Sequence, residues 1–151
     1  MDTLTPAQRS ERMSRVRNKD TKPEMRVRRL VHGMGYRYRL HRQGLPGRPD
    51  LVFPGLRKVI FVHGCFCHRH PDPFCKLARL PKTRQEFWLP KLQANQVRDE
   101  CNLVTLEASG WAVMVVWECE LRNKEHLVNK LRKFLGARPC VQSSCLRGPE
   151  A

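Results

Sequence analysis

Lys58-Val59-Ile60-Phe61-Val62-His63-Gly64-Cys65-Phe66-Cys67-His68-Arg69-His70 joins two kinds of sequence end to end. Its first half is apolar at consecutive positions, the pattern of a strand covered on both faces and therefore central in a sheet. Its second half has no periodicity and is dense in Cys and His. Just upstream, Asp50-Leu51-Val52-Phe53 followed by Pro54-Gly55 reads as the partner strand of a hairpin. Downstream, Trp111-Ala112-Val113-Met114-Val115-Val116-Trp117 is a second continuous apolar strand. Helical segments precede, separate and follow these strands. The order helix, three strands, helix, strand, helix predicts an α/β chain with a mixed central sheet flanked by helices.

Thr21-Lys22-Pro23-Glu24 has the spacing of a capping box, and Met25, Val27, Leu30, Val31 and Met34 give the helix after it an apolar face that ends at Gly33 and Gly35. Tyr36 to Leu40 alternates aromatic or long side chains with Arg, which suits a half-buried strand. Thr83 and Glu86 predict a second capping box, opening a helix disturbed at Pro90 and stopped by Gly110. A last amphipathic helix spans about 123–135. Before the first capping box, Pro6 opens a basic segment carrying Arg9, Arg12, Arg15 and Arg17. The expected organisation is a DNA-contacting arm or helix over 1–20, one domain over 21–135 and a disordered tail over 136–151.

At 151 residues the chain has room for one such domain. Its formal charge of +15 makes a polyanion the leading partner, although charge alone fits a ribosome-like basic protein equally well. The N-terminal segment lacks the apolar core of a signal peptide, and no apolar run is long enough to span a membrane, so a soluble, intracellular protein is expected. In a reducing compartment, cysteines crowded among histidines favour thiolate metal ligation over disulfides.

Arg48-Pro49-Asp50 sets a carboxylate at the start of a strand, a candidate ligand for a hard cation. If the two strands pair through the Pro54-Gly55 turn, His63 and His68 come beside it. Phosphodiester hydrolysis needs a cation for the phosphorane charge, a group for the water and a group for the leaving oxygen, and Asp50, His63 and His68 can divide those tasks. Glu24 can join from its helix as well as cap it; Asp99 lies on a helix face that is solvated by default. The soft donors Cys65, Cys67, His68, His70 and Cys75, with Cys119 after the second apolar strand, exceed what one tetrahedral zinc site can use.

Arg-Pro-Asp at 48–50, the run 59–70, Thr-Arg-Gln-Glu-Phe-Trp at 83–88 and Trp-Glu-Cys-Glu-Leu-Arg at 117–122 resemble, in order, motifs of the very short patch repair (Vsr) DNA mismatch endonucleases. The likeness covers about residues 9–135. It implies a restriction-endonuclease-like fold and magnesium-dependent cleavage of one strand on the 5′ side of the T in a T:G mismatch, as left by deamination of 5-methylcytosine. Asp50 then matches a central Mg²⁺ ligand of a two-ion site, with the Val62 carbonyl as a second contact. His68 matches the histidine that engages the attacking water, His63 the one assisting at the phosphate, and Glu24 and Asp99 the carboxylates that hold metal-bound waters. Cys65, His70, Cys75 and Cys119 match structural zinc ligands, with a longer gap before Cys75 than the family pattern has. The implied partner is mismatched duplex DNA, bound by a monomer in the bacterial cytoplasm at the nucleoid, with repair proteins nearby and no membrane.

One departure stands out. Where the family reads His-Gly-Cys-Phe-Trp-His, this chain has Cys67 in place of Trp, although Phe66 and Met13 of the family's DNA wedge remain. A thiol offers no stacking face, so relaxed mismatch selectivity is an alternative, as is a fifth candidate ligand for zinc. A non-catalytic zinc-containing DNA-binding protein is the remaining alternative.

Overall fold

The structure, a computed structural model, describes residues 4–14, 20–40, 42–80 and 82–136. Its elements are α1 (Pro6–Ser14), α2 (Lys22–Gly33), β1 (Arg39–Leu40), β2 (Leu51–Phe53), β3 (Lys58–His63), α3 (Gln85–Ala108), β4 (Ala112–Trp117) and α4 (Lys124–Leu135). Short 3₁₀ turns occupy Lys76–Ala78 and Glu118–Arg122. The four strands lie in the order β1-β2-β3-β4, antiparallel from β1 to β3 and parallel between β3 and β4. This is the mixed sheet that the apolar runs predict, with β3 inside it and Val59 to His63 all buried.

Alternation along β3 divides the core into two layers. Ile60 and Val62 pack with Val27 and Val31 of α2 and with Leu127, Leu131 and Leu135 of α4. Val59 and Phe61 face the other way, toward Leu106 of α3 and Trp111. The parallel pairing of β3 and β4 demands a long crossover, and α3 supplies it. Among the described residues, no helix is long and apolar enough to cross a membrane.

Three local expectations change. The segment Tyr36–Leu40 is strand only at its last two residues, because Tyr36 buries its ring and donates to the Gly136 carbonyl, and Tyr38 Oη donates to Arg28 O at 3.1 Å. Side-chain anchoring to the helical layer replaces the ladder there. The second capping box is absent: α3 starts at Gln85 behind Arg84, which has φ 58° and makes no side-chain cap, while its carbonyl accepts from Phe87 N and Trp88 N. At α2, Thr21 accepts from Glu24 N as expected, but the Glu24 carboxylate reaches Asp20 N at 2.9 Å rather than the cap residue itself. Residues 15–19 and the tail from 137 lie outside the described residues, as does the Met13 side chain.

Candidate active site

The hairpin delivers Asp50 to the end of β3, where Val62 N–H donates to its Oδ2 at 2.6 Å. Glu24 arrives from α2, on the same helical stripe as Val27, Arg28 and Val31, and only 4% of its surface is exposed. Burial pushes the Asp50 carboxyl up to about 7; the Val62 N–H opposes the rise, and the adjacent Glu24 carboxylate adds to it. A buried and a half-buried carboxylate side by side favour a cation. Arg28 provides one: its Nη2 lies 3.1 Å from Glu24 and its Nη1 2.7 Å from Asp20. That arginine, 6% exposed, had no place in the sequence reading, yet its spacing of four from Glu24 on a buried stripe was the available signal.

One residue beyond Val62, His63 points into the other layer. Its ring stacks on His68 with centroids 3.9 Å apart and planes within 6°. His68 Nδ1 lies 2.6 Å from Asp99 Oδ2, so α3 contributes a carboxylate that orients the ring. In the neutral tautomer whose Nδ1–H faces Asp99, the His68 ring keeps Nε2 as an acceptor. Burial, then the charge of His68 across the stack, lowers His63 to about 4, with Asp99 pulling the other way. His63 is therefore neutral at physiological pH. The structure thus places Asp50, Val62 and Glu24 in one group and His63, His68 and Asp99 in a second, joined through adjacent positions of β3. The loop leading to Asp50 is fixed against α3 at Gly47, where φ is +74° and any Cβ would meet Asn102 Nδ2 at 2.8 Å.

The tight turn 65–69, closed by His68 N to Gly64 O and His70 N to Cys65 O, carries the soft donors. Cys65, His70, Cys75 and Cys119 each bring a ligand atom within 4.8 Å of the others. Cys119 Sγ is 3.5 Å from His70 Nδ1, and Cys119 N donates to Cys65 Sγ at 3.4 Å. Burial pushes the Cys65 thiol up to about 12 and raises Cys119 as well. Burial works the same way on Cys75, but there the Ala78 N–H and a hydrogen bond from Cys65 prevail, and its pKa is lowered. Three sulfurs and one imidazole converging in this way form a donor set that suits a tetrahedral soft cation. Cys67 lies outside this group and is exposed. Trp117 separates the two systems, stacked on His70 at 4.4 Å and edge-on to His63 at 5.3 Å.

Phe66 packs edge-to-face on Trp88 of α3 at 5.2 Å, and Phe87 and Lys91 complete that patch. The sequence reading had Trp88 only within a motif; its partnership with Phe66 needs the crossover helix to be in place.

The result is a mixed sheet flanked by helices, with carboxylates and histidines gathered at the end of its central strand. The fold matches a homing endonuclease I-Bth0305I catalytic domain with a TM-score of 0.50 at 18% identity, covering 76% of this chain and 94% of that one. The profile of the DNA mismatch endonuclease Vsr family matches residues 1–73. The Type II nicking enzyme V.XorIIP of Xanthomonas oryzae pv. oryzae is 50% identical over 134 residues, 89% of this chain and 96% of the relative. The DNA mismatch endonuclease Vsr of Escherichia coli (strain K12) is 43% identical over 129 residues, 85% and 81% of the two chains. The chain belongs to the Vsr DNA mismatch endonuclease family and is a DNA-nicking endonuclease.

Proposed function

We propose that this enzyme nicks one strand of duplex DNA on the 5′ side of the T in a T:G mismatch, using magnesium held by Asp50 and the Val62 carbonyl. Magnesium bound there supplies positive charge for the phosphorane transition state. Glu24, fixed by Arg28, and Asp99 would hold the water of bound ions. His68, with Nδ1 committed to Asp99, presents Nε2 to take a proton from the attacking water, a contribution of about 10²–10⁴ in rate. Neutral His63 offers an N–H to a phosphate oxygen. Zinc at Cys65, His70, Cys75 and Cys119 fixes the turn that carries His68, and Phe66, with Met13, enters the base stack beside the mismatch.

The observation that carries this reading is the His68–Asp99 pair at 2.6 Å with His63 stacked on it, one strand position from the amide that holds Asp50. The test is a nicking assay with Mg²⁺ on matched and T:G duplexes. Preferential single-strand cleavage of the T:G duplex is expected. Equal nicking of both favours the second reading, a nickase of relaxed preference, which the exposed Cys67 beside Phe66 supports.

A further inference from the structure

Among the described residues, five without a glycine's freedom adopt left-handed backbone: Asp20, Arg48, Arg57, Arg69 and Arg84, with φ between 49° and 58°. Four of the five are arginines. This conformation crowds any Cβ, and glycine or asparagine occupies it at lower cost. An arginine kept in such a position points to a use for its side chain.

Arg57 has its use inside the fold. Its Nη2 donates to Ser109 O at 3.0 Å, its guanidinium lies 4.9 Å from the Trp111 ring centroid, and its carbonyl accepts from Ala112 N at 2.9 Å. Arg48, Arg69 and Arg84 differ. Among the described residues their guanidinium groups have no hydrogen bond, ion pair or ring contact, and Arg48 and Arg84 are exposed. Each also borders the reactive centre in the chain. Arg48 precedes Asp50 by two residues, beside Gly47 where the loop meets α3. Arg69 falls between His68 and His70 in the tight turn. Arg84 caps α3 four residues before Trp88, whose ring meets Phe66.

We propose that Arg48, Arg69 and Arg84 are a three-point clamp for the phosphates of duplex DNA around the scissile bond, the left-handed backbone setting where each guanidinium leaves the chain. The assignment rests on the nicking site being the one around Asp50 and His68. A guanidinium without an internal carboxylate is matched in shape and charge to a phosphate, which it grips through two parallel N–H donors. Contacts of this kind hold the DNA in register without reading its bases. They release counterions, so each leaves a mark on the salt dependence of binding.

The experiment measures affinity of the zinc-loaded protein for a short labelled matched duplex, without added Mg²⁺, between about 50 and 300 mM KCl. Arg48→Gln, Arg69→Gln and Arg84→Gln should each flatten the slope of log K against log [KCl] by about 0.9, and the triple variant by about 2.7. Arg57→Gln should keep the wild-type slope. Arg48→Gly and Arg84→Gly should lose the same slope increment as their Gln counterparts while holding or raising the melting temperature, because glycine relieves the left-handed backbone. A triple variant with the wild-type slope overturns the clamp; so does an equal loss in Arg57→Gln, or glycine variants that melt well below wild type. Flattening in the triple variant supports the clamp even where wild type nicks matched and T:G duplexes alike, the result that defeats the mismatch reading alone.

Discussion

The thiol cluster and the carboxylate–histidine centre sit a few residues apart on one loop, yet they are assembled in different ways. Three of the four soft donors fall between Cys65 and Cys75, and only Cys119 comes from elsewhere. The proposed reactive centre takes Glu24 and Arg28 from α2, Asp50 from the mouth of β2, His63 from β3, His68 from the turn and Asp99 from α3. The first is local and the second depends on topology. Electrostatics draws a different line, which runs through the carboxylate–histidine centre itself. Burial holds Cys65 and Asp50 toward their neutral acids, a burden that a cation relieves, whereas the stacked His63 is held neutral by burial and by His68 and gains nothing from added positive charge.

Removing one group from each system should separate chemistry from architecture. The largest effect is expected from Asp50→Ala and His68→Ala, which should each cut nicking by roughly 10³-fold or more while leaving the Kd for duplex within a few-fold. Unchanged activity in either variant would remove that residue from the chemistry. Cys75→Ser should instead lower zinc content and stability, with a melting temperature reduced by roughly 10 °C. One full equivalent of zinc retained in that variant would strike Cys75 from the ligand set.

A subtler contrast appears in metal-free protein as pH changes. The folded-state pKa of Asp50 is raised from 3.8 to about 7, so its contribution to stability is fully present below about 4 and is lost as pH rises through 7. Asp50→Asn should therefore stabilise the chelated protein at pH 8 by roughly 2–4 kcal/mol and make little difference at pH 4, read from urea melts. His63 runs the opposite way: with its pKa lowered from 6.5 to about 4, it penalises the fold as pH falls through that interval. A stabilising effect of Asp50→Asn that is equal at both pH values would contradict the buried-carboxylate account. The smallest change expected is from Cys67→Trp, which restores a stacking face next to Phe66. It should raise the preference for T:G over matched duplex by about tenfold, from a stacking contribution of about 1–3 kcal/mol, with zinc content untouched.

Much of this was readable in the chain. The apolar runs of β3 and β4 gave the sheet, although only β3 is covered on both faces; β4 lies at the edge, with Ala112 exposed and Val113, Val115 and Trp117 half-buried. Dense soft donors on one loop likewise announced themselves by spacing. Arg28 did not, since a basic residue in a basic helix resembles a solvated one until its partners are placed. The role of Asp99 beside His68 and the contact of Trp88 with Phe66 depend on where a 24-residue crossover lands, which no local pattern encodes. Thr83 and Glu86 misled because a left-handed Arg84 takes the N-cap position, which leaves Thr83 outside the helix and Glu86 in its first turn.

The parallel register Lys58↔Ala112 through His63↔Trp117 also bears on how the enzyme comes into being. On the ribosome, β2 and β3 emerge and can pair early, but Asp99, Trp117 and Cys119 follow 36, 54 and 56 residues after His63. Pairing across so long a separation comes late in folding. A nascent chain therefore carries Asp50, His63 and His68 before the groups that pack against them, and the proposed cutting centre is complete only once β4 has paired with β3.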